Sequence, residues 1–181
     1  MKRIGQSAGN PHMRRSSETT RQVSSQKGYL MELLPDWVTG FVDGEGCFYV
    51  GINRHPEMTV GFQVLPEFRV VQHKNDIQIL YALKRFFGFG IVCKNHDDRF
   101  EFRVRKLDSL LKICEFFNRH PLKTKKAIEF KRFQRILHWM KGKKHLTIEG
   151  LVKITETAQT MNRADSQALQ QIMKELKEKT G

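Results

Sequence analysis

Cysteine is scarce in this 181-residue chain: Cys47, Cys93 and Cys114 are an odd number with no C-x-x-C pair, which excludes a disulfide framework and a zinc knuckle. A reducing compartment fits that usage. Acid is also short, with 19 Asp+Glu against 32 Lys+Arg, a net charge of +13 and a pI near 9.9. The natural partner of such a surface is a polyanion. No stretch approaches the ~20 consecutive apolar residues of a spanning helix, and the first thirty residues lack the apolar segment of a secretory signal. Neither a membrane partner nor secretion is expected. Two full catalytic domains would be cramped in this length, whereas 39% hydrophobic residues with 13 Phe suffice for one packed core.

Apolar material is missing from residues 1–28, which hold six Lys/Arg and one acid. They cannot bury enough surface to offset the entropy of ordering and are expected to be a disordered basic tail. Their Arg- and Ser-rich, acid-poor composition also resembles an organellar transit peptide, though without an amphipathic helical pattern. Residues 29–163 form the expected folded domain, and 164–181 a short, loosely held helical extension.

Within the domain, Pro35-Asp36 marks a helix start, since proline suits the first turn and an acid there faces the positive dipole end. Trp37, Val38, Phe41 and Val42 give an apolar stripe, while Gly40 and Gly44 leave another face nearly bare. After Gly46 the period becomes alternating: Phe48, Val50 and Ile52 face one way, Tyr49, Gly51 and Asn53 the other. A second strand runs from Gln63 to Gln72, and its Pro66 suggests an edge or a bulge. Asn75 or Asp76 is placed to cap a helix carrying Ile77, Leu80, Tyr81 and Phe87, which Gly88 ends. A strand pair follows at 91–94 and 99–105, then helices from Asp108, after Thr124 and from Thr147. The order αββαββα with trailing helices predicts an α+β fold with a four-stranded antiparallel sheet.

The segment Val38-Thr39-Gly40-Phe41-Val42-Asp43-Gly44-Glu45-Gly46 carries the chemistry. Two acids at a helix C-terminus lie against the negative dipole pole, which costs several tenths of a kcal/mol unless compensated. An ordinary structural account exists, with Asp43 capping a neighbour and Gly46 ending the helix in the left-handed region. The glycine face, however, permits close approach of a second copy, which brings two Glu45 carboxylates near a shared axis. Such a pair favours a divalent metal, and Mg²⁺ held by carboxylate and phosphate oxygens is the usual means of cutting a phosphodiester.

This segment resembles the signature helix of the LAGLIDADG homing endonucleases. The likeness extends over roughly residues 33–163. It includes Phe68-Arg69-Val70-Val71-Gln72, Phe87-Gly88-Phe89-Gly90, Pro121-Leu122-Lys123-Thr124-Lys125-Lys126, and the stretches Gly150 to Ile154 and Met161-Asn162. The resemblance implies that Glu45 ligates the catalytic metal, Mg²⁺, beside the Gly44 carbonyl, and that Asp43 caps across the helix pair. It implies further that Gln72 orders the attacking water and that Lys125 steadies the water or the phosphate charge. Lys123 and Lys126 compete for the last role. Where some relatives have a basic residue shortly after the Gln, this chain has Asp76. Read without the resemblance, Gln72 is a polar strand end and Lys125 one charge among the ten basic residues from Arg119 to Lys144.

The resemblance also makes the polar sheet face a saddle over the major groove of double-stranded DNA. Tyr49, Asn53, Gln63, Glu67, Arg69, Cys93, Asn95, Arg99, Glu101 and Arg103 are the candidate readers: Arg suits guanine, Asn and Gln adenine, Glu cytosine. Only one signature is present, so a homodimer is implied. Trp37, Gly40, Phe41, Asp43 and Gly44 would lie at its two-fold interface, and the target would be a long, pseudo-palindromic duplex cut with short 3′ overhangs. The expected activity is site-specific, Mg²⁺-dependent DNA hydrolysis. The alternative is a non-catalytic binder on the same fold, a maturase acting on intron RNA or a DNA-binding regulator. A basic ribosome-associated protein leaves the two acids unexplained. Ser16 to Arg21 back-translates to a string resembling a group I intron core, consistent with an intron-encoded gene in an organelle or a bacterium.

Overall fold

A computed structural model describes residues 31–161 and 166–179, and the expectations for the basic tail, the transit-like composition and the Ser16–Arg21 string lie outside them. The described elements run α1 (Pro35–Glu45), β1 (Gly46–Arg54), β2 (Phe62–His73), α2 (Ile77–Phe87), β3 (Ile91–Lys94), β4 (Arg99–Val104), α3 (Leu107–Arg119), α4 (Lys126–Lys141), α5 (Ile148–Gln159) and α6 (Ser166–Glu178). The strands form one antiparallel sheet in the order β1-β2-β4-β3. The α+β class and the αββαββα order are as expected.

Alternation sends Phe48, Val50, Ile52, Phe68, Val70, Phe102 and Val104 to one face, where all are buried against the helices. Phe48 is the hub: its ring lies 5.3 to 5.9 Å from those of Phe68, Phe117, Phe130 and Phe133, joining β1 to β2, α3 and α4. A buried aromatic of this kind stabilises the fold by about 2–3 kcal/mol through area alone. Cys114 is part of this core, and burial pushes its thiol up to about 12, so it is a small apolar side chain in all but name.

Four expectations change or are refined. Pro66 sits in register opposite Val50 with no bulge, in a strand that is interior to the sheet but has the expected edge character at this position. Pairing of β2 with β4 begins only at Phe68, so at Pro66 the strand has a neighbour on one side and a missing N–H is tolerated as at an edge. Gly46 is extended (φ −72°, ψ 154°) rather than left-handed, because the chain passes straight into β1; a Cβ there would lie 2.7 Å from the Val42 carbonyl oxygen. Asp76 holds the N-cap position of α2 as expected but its side chain makes no capping bond; the side-chain cap is on the 3-10 turn before it (Lys74–Asp76), where His73 Nδ1 accepts from the Asn75 N–H at 3.3 Å. Finally, α6 is not loosely held. Its Leu169, Ile172, Met173 and Leu176 are buried, and Glu175 pairs with Arg54 at the end of β1. Lys179 adds a cation 5.5 Å from the Phe62 ring centroid.

The link into β3 yields a test. Gly88 (φ 76°) ends α2 in open space, whereas Gly90 (φ 90°) lies where a Cβ would overlap the Phe102 ring. Gly88→Ala should cost about 1 kcal/mol for the left-handed backbone alone. Gly90→Ala should cost about 3 kcal/mol or more because overpacking is added, a difference that urea denaturation of the two variants would resolve.

Candidate functional site

Helix α1 is fixed by one face and offers another. Val38, Thr39 and Val42 are buried, with the Thr39 hydroxyl donating to the Pro35 carbonyl at 2.9 Å. Trp37 and Phe41, grouped by sequence with the valines, lie instead with Gly40 and Gly44. These four positions at i, i+3, i+4 and i+7 share one helix face. Trp37 is 42% exposed and stacks on Phe41 at 4.8 Å, and the space beside both glycines is empty.

At the end of the helix, Asp43 resolves the conflict between its charge and the dipole. Its carboxylate accepts from the Lys123 N–H at 2.7 Å, the Thr124 hydroxyl at 2.7 Å and the Thr124 N–H at 3.2 Å. Burial alone pushes this carboxyl up. The Thr124 hydroxyl, the two amides and the charge of Lys126 outweigh it and hold Asp43 below its ordinary value. Capping across the helix pair was expected of Asp43; the bonds the structure shows are instead within the chain, on the segment entering α4.

Glu45 is the last residue of α1 and is exposed. Gly46 pairs with Val70, so β2 overruns the start of β1, and Gln72 arrives beside the helix end. Glu45 and Gln72 line one cleft together with Val71, His73 and Arg99. Arg99 enters through the register that sets it opposite His73. Lys125 is exposed at the N-terminus of α4 and does not line the cleft. Its neighbour Lys126 donates from Nζ to the carbonyl of Gly46, the residue that follows Glu45 in the chain. Sequence reasoning missed His73 in the cleft and Arg99 as anything but a base reader, and it named Lys126 only as a competitor of Lys125. Only strand pairing reveals the first two. The reach of Lys126 follows from the ~100° turn between successive helical residues.

The other sheet face carries the remaining candidates, and the register matches many of them to one another: Tyr49 with Glu67, Asn53 with Gln63, Arg69 with Arg103, Cys93 with Glu101. Asn95 lies just past β3, its N–H bonded to the Arg99 carbonyl at 2.9 Å. Glu67 and Glu101, expected as exposed acceptors, are only 6% and 4% exposed. Arg105 Nε donates to Glu67 at 2.8 Å, with Arg69 3.3 Å from the same carboxylate, while Arg103 holds Glu101 at 2.9 Å. Arg69 and Arg103 cover these carboxylates from two residues along the same strand, and Arg105 reaches Glu67 from just beyond β4; a buried charge needs such partners. Arg69 also lies 5.3 Å from the Tyr49 ring centroid. The face is an interlocked layer with its cations outermost.

Asp43 gives a pH test. Because its folded value is lowered, its contribution is present at neutral pH and is lost as pH falls through that value. Asp43→Asn should lower Tm at neutral pH, by an amount corresponding to about 1 kcal/mol for a lost cap. The gap from wild type should close as pH drops below the ordinary carboxylate value of about 3.9, as followed by thermal melts across pH.

Residues 38–137 match the family model described as LAGLIDADG endonuclease. Among solved structures, the chain resembles the homing endonuclease I-TnaI at 60% identity with a TM-score of 0.79, covering 81% of this chain and 99% of that one. It also resembles I-SmaMI bound to an uncleaved DNA target in the presence of calcium ions, at 34% identity and a TM-score of 0.76, covering 78% of this chain and 49% of that one. A probable intron-encoded endonuclease 2 of Neurospora crassa is 32% identical over 142 residues, 77% of this chain and 31% of that relative. An uncharacterized protein in ND4 intron 1 of Podospora anserina is 31% identical over 130 residues, 71% of this chain and 29% of that relative. This chain therefore spans about a third or less of these curated relatives. With the αββαββα order, the exposed Glu45 at the end of α1 and the cleft it shares with Gln72 in place, the match to the family model settles the kinship: the chain belongs to the LAGLIDADG endonuclease family.

Proposed function

We propose that the protein is a site-specific DNA endonuclease that acts as a homodimer and hydrolyses phosphodiester bonds with a divalent metal. The observation that carries this reading is the cleft in which the α1 carboxylate of Glu45 meets Gln72, at one end of a cation-covered sheet face. An acid there repels a nucleic-acid backbone unless a metal lies between them, so its presence is better explained by cutting than by binding alone.

The donor set suits Mg²⁺. The Glu45 carboxylate and the Gly44 carbonyl are hard oxygens at a helix end, where backbone carbonyls lack intrahelical partners. Among the described residues no group of three or more His, Cys, Asp or Glu is assembled for a metal, and Glu45 is the carboxylate that lines the cleft. Phosphate oxygens and the second copy complete the set. When bound, the ion supplies charge stabilisation for the attacking and leaving oxygens. Gln72 orients the attacking water from the strand end. The basic residues entering α4, Lys125 with Lys126 beside it, place positive charge near the phosphate.

Self-association is supported by the outward face of α1. There an exposed Trp37 stacked on Phe41 lies beside Gly40 and Gly44, an apolar strip with open space at both glycines that a second α1 would cover. The match to only 49% of the I-SmaMI chain fits one copy standing for one half. The names of the fungal relatives place their genes in introns, and we extend that setting to this gene. Among the described residues no helix is long and apolar enough to cross a membrane.

The test is incubation of the protein with a duplex spanning the intron-free insertion site. Wild type should cut with Mg²⁺ and bind without cutting with Ca²⁺; Glu45→Gln should bind and lose cleavage by a factor of about 10³ or more. Tight binding without cleavage by wild type in either metal would make the protein a binder, the maturase or regulator alternative.

A further inference from the structure

We propose that Arg99 is a catalytic residue that contacts the scissile phosphate, rather than a reader of base edges. The inference rests on the nuclease reading of the Glu45 cleft, and it assigns a role that neither the signature helix nor the α4 lysines supply.

The arginines of the sheet differ in what they are already doing. Arg69 and Arg105 lie on Glu67 and Arg103 lies on Glu101, so their positive charge is partly answered within the protein. Arg99 is exposed, and among the described residues its guanidinium has neither a hydrogen bond nor an ion pair. It is also the arginine that lines the cleft with Glu45 and Gln72. The short stretch after Gln72 offers no free substitute: Lys74 is tied to Asp98 at 2.8 Å, and Asp76 is acidic.

While the side chain is free, its backbone is held. The Arg99 N–H donates to the His96 carbonyl and its own carbonyl accepts from Asn95, both at 2.9 Å. The Lys74 N–H closes onto the Asp98 carbonyl at 2.7 Å, pinning the β3–β4 turn to the end of β2. The result is an unneutralised guanidinium on a fixed mount beside the metal acid. A guanidinium is always protonated and presents a planar fork that matches two phosphate oxygens. In the step proposed, a water oxygen bonds to phosphorus as the bond to the 3′ oxygen breaks. The water's proton passes to solvent, and the departing oxygen takes one up. Arg99 keeps its protons throughout and donates hydrogen bonds to the non-bridging oxygens as their charge grows.

The experiment uses the full chain and the duplex spanning the intron-free insertion site, with Arg99→Ala, Arg99→Lys, Arg69→Ala and Glu45→Gln. Single-turnover cleavage is followed in Mg²⁺ and binding in Ca²⁺. Arg99→Ala should slow cleavage at saturating enzyme by about 10²–10³-fold, the loss typical of one charge-stabilising donor, with Kd changed less than about threefold. Arg99→Lys should retain part of the rate. Arg69→Ala should weaken binding in Ca²⁺, which shows what loss of a groove contact looks like beside Arg99→Ala. Melting curves should coincide for Arg99→Ala and wild type, since the lost side chain is exposed and unpaired. The proposal is overturned if Arg99→Ala loses affinity and recovers full rate at saturation, as a base reader would. It is also overturned if Glu45→Gln abolishes cleavage while Arg99→Ala does not alter it, an outcome that leaves the nuclease reading intact. If Glu45→Gln cuts like wild type, the reading of the cleft fails and this proposal with it.

Discussion

The geometry of the site depends on one carboxylate that takes no part in the proposed chemistry. Asp43 stands at the negative end of α1, where its charge is unfavourable, and accepts from three donors, two amides and a hydroxyl, on Lys123 and Thr124 at the entry to α4. That bond set brings the C-terminal end of one helix against the entry of another, so that the poles of the two dipoles answer each other. Because Lys126 lies two residues beyond Thr124, the same clamp lays its ammonium on the Gly46 carbonyl. Glu45, next but one to Asp43, is left exposed. The bonded Asp43 and the exposed Glu45, to which we assign the metal, are thus separated by a single glycine.

Around this junction the fold is strongly one-sided. The phenylalanines gathered on Phe48 take the sheet's inner face entirely into the core, and α2, α3 and α4 supply the rings that meet it. The outer face contributes little to that core. Its buried groups, Glu67 and Glu101, are satisfied by charge pairing rather than by packing. The two faces of the same strands therefore do different work: one holds the fold, and the other presents an ordered layer of cations.

Much of this was legible in the sequence because it follows from period and punctuation. The proline start of α1, the alternation of β1, the left-handed stop at Gly88 and the acid pair at a helix end each depend on a few adjacent residues. What was not legible depends on partners far apart in the chain. The company of Arg99 is fixed by β4 pairing with β2, not by anything near residue 99. The burial of Glu67 comes from Arg105, 38 residues away. Pro66 looked like an edge signal because sequence shows that a strand exists but not how far each neighbour extends along it. For Lys125 and Lys126 the difficulty was angular: adjacent helical residues point about 100° apart, and only the clamp at Asp43 shows that it is Lys126 that turns onto the Gly46 carbonyl.

The shared carboxylates of the outer face have a consequence for how such a protein changes over generations. Glu67 sets two arginines at once, and Glu101 sets Arg103 and accepts from the Cys93 thiol at 3.6 Å. A substitution at either acid therefore resets several side chains together, while a substitution of one arginine leaves its neighbour with a different share of the same charge. Drift across this surface proceeds in linked blocks, each centred on an acid, and the effects of changes within a block are not the sum of changes made one at a time.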